Sequence, residues 1–295
     1  MTQTAARPPV AEYRNFVSDN RRWQQFRQRP GDIFVCTPPK CGTTWTQTIV
    51  GNLLFPDGDT AKPLLELAPW LEARFTPLAE VLEELESQTG RRSIKSHTPA
   101  DGIAWDPACF YIVVGRDGRD AFMSLVNHMA SMRPDKVAEL IESAVADGIE
   151  LGPPPSDDIH QFFAQWLEGG EMFHFMSTYW QHRNEPNVLF VHYDELKQDL
   201  EKQIRRIAAF IGVGIDEKKM PGILQRCSFE WMRDNSDRIA PFEELFDGGG
   251  KSFFFKGVNG RWRDVLTAEE VASYEQRSRE MLAPDLKAWL DRNAS

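Results

Sequence analysis

The apolar positions of this chain fall in short dense runs separated by longer amphipathic stretches. Ile33-Phe34-Val35-Cys36 is apolar at every position and reads as a buried strand. Arg92-Ser93-Ile94-Lys95 reads as a second short strand, Ala108–Val114 as a third and Val188–Val191 as a fourth. Strands apolar throughout suit a parallel sheet covered on both faces. Between the runs the spacing becomes helical. Residues 11–28 read as a surface helix ended by Gly31-Asp32. The stretch from Thr43 places Trp45, Ile49 and Leu53 at helical spacing and stops at the polar turn 56–59. Residues 64–88 read as helix in two pieces broken at Pro77. Further helices are expected from about Asp120, over 134–147 and 158–184, through much of 194–235, and again at the C-terminal end. Residues 152–156 form a loop, and residues 236–262, with Gly248-Gly249-Gly250, read as a long mobile segment. Strands alternating with helices predict an α/β fold, a parallel sheet flanked by helices. With no repeat or linker in view, one domain is expected over residues 1–295, with 1–10 as a flexible tail.

Composition narrows the function classes. At 41% hydrophobic and 26% charged, the 295 residues can bury a large core. A net charge of -10 argues against nucleic acid as a partner, which would need a basic face. Any anion site must be a local basic pocket. Cys36, Cys41, Cys109 and Cys227 are scattered without metal spacing and read as reduced thiols, which suits a cytoplasmic location. No apolar run approaches the length of a membrane span, and the opening MTQTAARPPV lacks a signal-peptide core.

Ligands of open parallel sheets bind beyond the carboxyl ends of the strands. Here those ends are Thr37–Trp45, Lys95-Ser96-His97, Gly115–Asp120 and His192-Tyr193-Asp194. Basic groups gather there although the protein is acidic. In Lys40-Cys41-Gly42-Thr43-Thr44, glycine permits close backbone approach, the first-turn amides and helix dipole favour an anion, and the lysine adds a compact charge. The plainer alternative is a helix start with Thr43 or Thr44 as N-cap. A Walker lysine follows the second glycine of its motif, whereas Lys40 precedes Gly42. The third strand ends in Arg116 where a Walker-type kinase would offer a magnesium-binding aspartate. Side-chain cations in place of a metal are therefore expected, and Asp57 and Asp59 read as turn residues. His128, His160, His174, His182 and His192 show no partner pattern and read as structural.

Four segments occur in order: Pro39-Lys40-x-Gly42-Thr43-Thr44-Trp45, Lys95-x-His97-x-Pro99, Arg116-Asp117-x-Arg119-Asp120-x-x-x-Ser124, and Lys256-Gly257-x-x-Gly260-x-Trp262. Together they resemble the cytosolic-type sulfotransferases, which use 3′-phosphoadenosine-5′-phosphosulfate (PAPS). The resemblance implies a P-loop nucleotide-kinase-like sulfotransferase fold and transfer of a sulfuryl group to a hydroxyl or amine of a small, apolar or lipid-like acceptor. It implies that Lys40, Cys41, Gly42, Thr43 and Thr44 cradle the 5′-phosphosulfate, that Trp45 and Phe229 stack on adenine with Tyr193, Ser228 and Met232 beside it, and that Arg116, Ser124, Lys256 and Gly257 hold the 3′-phosphate. His97 would be the general base, with Lys40 and Lys95 balancing charge. Phe255 stands where the family has an arginine, which weakens the expected grip on the 3′-phosphate, with Lys251 or Arg261 as candidate replacements. The segment at Arg263–Ala272 departs from the family's dimer-forming pattern, which leaves that homodimer open. Acceptor choice would lie in loops near 56–75, 147–157 and 236–255. The alternatives are a nucleotide or small-molecule kinase, and a sulfotransferase fold that binds nucleotide without turning over.

Overall fold

The computed structural model describes residues 6–292. Four strands, β1 (Ile33–Cys36), β2 (Ser93–Ser96), β3 (Phe110–Gly115) and β4 (Val188–His192), form one sheet in the order β2-β1-β3-β4 with every pairing parallel. The helices are α1 (Thr43–Leu54), α2 (Leu64–Leu67), α3 (Leu78–Ser87), α4 (Gly118–Ser131), α5 (Pro134–Ala146), α6 (Ile159–Gly169), α7 (Glu171–Trp180), α8 (Tyr193–Gln198), α9 (Leu200–Ile211), α10 (Met220–Arg226), α11 (Phe229–Asp234), α12 (Gly249–Phe253), α13 (Ala268–Met281) and α14 (Pro284–Leu290).

The unbroken apolar runs have a direct cause. Successive side chains of a strand point to opposite faces. Phe34, Cys36, Ile94, Tyr111, Val113, Val188 and Phe190 enter one core, with Phe122 of α4, Phe173 and Met176 of α7, and Leu286 and Leu290 of α14. Ile33, Val35, Ile112, Val114 and Val191 enter the other, under Ile49, Val50 and Leu53 of α1 and Ile204, Ile207 and Ile211 of α9. Each fully buried side chain of this size contributes about 1.5–3 kcal/mol. A buried fork ties the starts of β1 and β2: Arg92 Nε and Nη2 donate to Asp32 Oδ1 and Oδ2 at 2.9 and 2.6 Å. Both are buried, so loss of either partner strands a charge, at about 3–5 kcal/mol.

The sheet and the main helices match the pattern read from the sequence, but other elements differ. Instead of a helix over 11–28 the chain makes a single 3₁₀ turn, Asn20–Gln24. Polar side chains have taken the backbone donors there: Asn15 Oδ1 accepts from Val17 N and Ser18 N, and Asn20 Oδ1 from Tyr13 N, each at 2.8 Å. Of the tail expected over 1–10, residues 1–5 lie outside the described residues. Arg7 and Trp105 exchange backbone hydrogen bonds of 2.8 Å, so the chain is docked from Arg7 onward. Residues 68–77 are irregular because Pro69 and Pro77 bracket them and Trp70 runs alongside Lys95 at the sheet edge. The 236–262 segment is folded as short helical turns around Met232, Ile239, Phe242, Phe246 and Phe254. Among the described residues no helix is long and apolar enough to cross a membrane.

Candidate active site at the strand ends

Because the strands are parallel, their carboxyl ends share one edge, and the loop from β1 to α1 lies there. Lys40 has φ +66° and Gly42 φ +100°, a reversal that swings the chain sharply into α1. Gly42, not Thr43 or Thr44, is the N-cap residue, and no side chain caps the first turn, which leaves its amides for an anion. A Cβ on Gly42 would stand 2.9 Å from Tyr193 Cδ2, so glycine lets the loop lie against the end of β4. Thr43 Oγ1 meets Thr37 Oγ1 at 2.5 Å. The Cys41 side chain is wholly buried and burial pushes its thiol up to about 12, so only its backbone faces the site's chemistry.

His97 follows β2. Its Nδ1 lies 2.6 Å from the carbonyl oxygen of Thr37, and a carbonyl only accepts, so Nδ1 carries the proton. Nε2 then keeps its lone pair. Burial first, then the charges of Lys95 and Lys40, holds His97 well below the ordinary histidine value. The His97 ring meets the Trp70 ring edge-on at 4.8 Å, and Lys95 Nζ sits 4.1 Å from the Trp70 centroid. Burial lowers Lys95 to about 8. Burial, reinforced by Lys95 and Arg116, lowers Lys40 to about 7. The Lys40 ammonium points at His128 Nδ1, 3.3 Å away, with the Phe253 ring 4.6 Å from it.

Arg116, at the end of β3, is buried. Its guanidinium stacks on Tyr193 at 4.1 Å, its Nη1 donates to Lys40 O at 3.1 Å, its Nη2 donates to Asn259 Oδ1 at 2.7 Å, and its buried Nε has no partner. Asp117 is engaged by Arg119 at 2.7 Å, so it does not take Arg116. Ser124 lies on α4, one turn before His128. Trp45 is held by Nε1 to Cys227 O at 2.8 Å and meets Tyr193 edge-on at 5.5 Å. Ser228 caps α11, Met232 is buried in the cluster below it, and Phe229 packs against Gly257, where a Cβ would lie 2.9 Å from Phe229 Cε2. Gly257 O accepts from Lys197 Nζ at 3.0 Å. Lys256 is exposed. Phe255 is 47% exposed, with Lys256 Nζ and the Arg261 guanidinium each 5.1 Å from its ring centroid.

The structure thus brings Lys40, Lys95, His97 and Arg116 to one place and sets Trp45, Tyr193 and Gly42 beside them. It does not draw Phe255 and Lys256 into that cluster. The pattern along the chain missed four participants: Thr37, Trp70, His128 and Asn259. Only His128 carried a usable signal, its i+4 spacing from Ser124. A cavity of about 420 Å³ is lined by Arg133, Glu243, Phe246 and Gly248–Gly250; Lys40, Lys95, His97 and Arg116 do not line it.

A family model described as the sulfotransferase domain matches residues 30–284. The chain belongs to the sulfotransferase family. Its relatives include a glycolipid sulfotransferase of Mycobacterium bovis (strain BCG / Pasteur 1173P2), 33% identical over 94% of this chain and 93% of the relative. Mouse sulfotransferase 1B1 is 27% identical over 88% of this chain and 85% of its own. Among solved structures, mouse sulfotransferase SULT7A1 complexed with PAP superposes with a TM-score of 0.68 at 23% identity, covering 92% of both chains, and shows the shared fold. Family membership makes this sulfotransferase an enzyme of sulfuryl transfer and sets the kinase alternative aside.

Proposed function

We propose that this sulfotransferase moves the sulfuryl group of PAPS to a hydroxyl of a lipid-like acceptor, with His97 as general base and Lys40 as the cation at the departing oxygen. The observation that carries the reading is the His97 hydrogen bond to the Thr37 carbonyl, which fixes the ring with its Nε2 lone pair free beside two lysines.

The residues fit the donor on two counts. The partnerless Nε of buried Arg116 calls for an acceptor such as a phosphate oxygen. The uncapped first turn of α1, approached through Gly42, suits a second phosphate-like group. When bound, the donor supplies the sulfuryl group. His97 accepts the acceptor's hydroxyl proton at Nε2, and a well-placed base contributes about 10²–10⁴-fold. Lys40 and Lys95 stabilise charge that grows in the transition state more than in the ground state. Lys40, the backbone of Cys41 and Gly42, Thr43 and Thr44 hold the 5′ end. Trp45, Tyr193, Ser228, Phe229 and Met232 border the base. Arg116 and Ser124 serve the 3′-phosphate; exposed Lys256, outside that cluster, and Gly257 are assigned to its outer side. No metal is assigned a part.

Two things support a lipid-like acceptor. The mycobacterial relative is named for glycolipids. The base also stands against an aromatic wall: Trp70 lies 4.8 Å from His97 and 5.8 Å from Phe75, which is itself 41% exposed. The reading takes the chain as one domain working in the cytoplasm. Incubation with ³⁵S-labelled PAPS and a panel of glycolipids, fatty alcohols, phenols and amines tests it. Label in a lipid hydroxyl is the expected outcome. Transfer confined to small polar amines overturns the acceptor class, and no binding of 3′-phosphoadenosine-5′-phosphate (PAP) overturns the donor.

A further inference from the structure

We propose that His128 positions Lys40, holding one of its ammonium protons so that the other two are directed at the oxygen on which charge builds. The proposal rests on the reading of Lys40 given above.

The geometry is specific. Lys40 Nζ lies 3.3 Å from His128 Nδ1; in its protonated form, the one an anion at the site favours, Lys40 can only donate, so Nδ1 is then the acceptor and Nε2 carries the imidazole proton. The two histidines of the site therefore hold opposite tautomers. His97 is protonated at Nδ1 and offers Nε2, while His128 is protonated at Nε2 and offers Nδ1.

The His128 ring is itself fixed. It lies on α4 and is packed by Phe246 at 4.9 Å and by the edge of Phe253 at 5.8 Å. Lys40 is fixed at its other end, where Arg116 holds the carbonyl at 3.1 Å and the backbone adopts φ +66°. Between these anchors runs a flexible four-carbon stem with many rotamers. A hydrogen-bond acceptor at its tip selects one of them. Because an ammonium has three protons, the bond to His128 need not be given up when a second acceptor arrives. The lysine is then oriented before the reaction starts, and preorganised cations are the effective ones. His128 must stay neutral to accept. The charged and titratable groups around it, Lys40, Lys95 and His97, all oppose its protonation, as does burial.

The test is a double-mutant cycle with a conservative rescue. His128→Phe keeps the ring packing and removes the acceptor, and His128→Asn puts an amide oxygen near the place of Nδ1. Turnover is measured with PAPS and a working acceptor, and PAP binding by calorimetry verifies an intact site. His128→Phe is expected to lower kcat between about tenfold and about a hundredfold while the acceptor KM moves little, and His128→Asn to recover most of the loss. In a Lys40→Ala background, adding His128→Phe is expected to cause no further loss. An unchanged kcat in His128→Phe overturns the proposal. So does an equal loss in His128→Asn, or a loss of the same size in the Lys40→Ala background. If Lys40→Ala alone keeps wild-type kcat, the role given to Lys40 fails first, and that result is read before His128 enters the cycle.

Discussion

Thr37 and His97 directly follow the neighbouring strands β1 and β2, and the Thr37 carbonyl oxygen accepts a hydrogen bond from His97 Nδ1 at 2.6 Å. The parallel pairing of β1 with β2 thus decides which nitrogen of the imidazole is basic. With His97 as the proposed base, His97→Ala is expected to lower kcat by about 10²–10⁴-fold while PAP affinity stays near wild type, because in that role the ring serves the acceptor and not the nucleotide. Burial and the two lysines hold His97 below the usual histidine value, so it becomes protonated only at pH below that range. The acid limb of kcat/KM, which reports the free enzyme, should accordingly fall below the ordinary histidine value of about 6.5. A limb centred above the ordinary histidine pKa would remove His97 from the role.

Lys40 has a low proton affinity while no anion is bound, about 7, through burial and the nearby Lys95 and Arg116. Bound phosphate raises it, so nucleotide binding takes up a proton wherever free Lys40 is neutral. PAP affinity should fall as pH rises above about 7, by up to about tenfold per unit for one group. Calorimetry in buffers of different ionisation enthalpy should record the uptake at pH 8. Lys40→Ala should reduce that uptake to the share of Lys95, which burial lowers to about 8, and cost about 2–4 kcal/mol of transition-state stabilisation.

Gly42 combines φ +100° with a Cβ position 2.9 Å from Tyr193. Gly42→Ala should lose about 1–2 kcal/mol of stability from backbone strain alone. By pushing Tyr193 from under Arg116 it should also weaken PAP binding. Thermal unfolding and a PAP titration on the same variant separate the two effects. Full affinity in a destabilised variant would show that the Gly42–Tyr193 contact serves folding only.

Phe255 is half-exposed between Lys256 and Arg261, a place where an arginine fork would be free to turn toward phosphate. Phe255→Arg should tighten PAP binding by about tenfold or more over a nucleotide lacking the 3′-phosphate, since a hydrogen bond to a charged group contributes about 1.5–3 kcal/mol. A preference for the 3′-phosphate that Phe255→Arg leaves unchanged would mean that this segment does not reach the 3′-phosphate.

Much of this architecture follows from local pattern. A run such as Ile33–Cys36 can satisfy its period-two geometry only if both faces of the sheet are covered, and that requires helices on both sides. The same local logic exposes the Lys40 loop, because glycine and lysine between a strand and a helix suit an anion. Where local and tertiary preferences compete, the pattern misleads. Residues 11–28 have helical spacing, but Asn15 and Asn20 bond the backbone they would have to leave free, and Asn20 Nδ2 also reaches Gly102 O at 2.7 Å. The partners of the proposed catalytic and binding groups are decided in the same way. His97 takes its tautomer from a residue 60 positions away, Lys40 meets His128 at a separation of 88, and Arg116 meets Asn259 at 143. A helical period can place His128 one turn from Ser124, but no period or motif pairs residues across such separations. These contacts exist because four parallel strands end on one edge, and only the folded sheet brings those ends together.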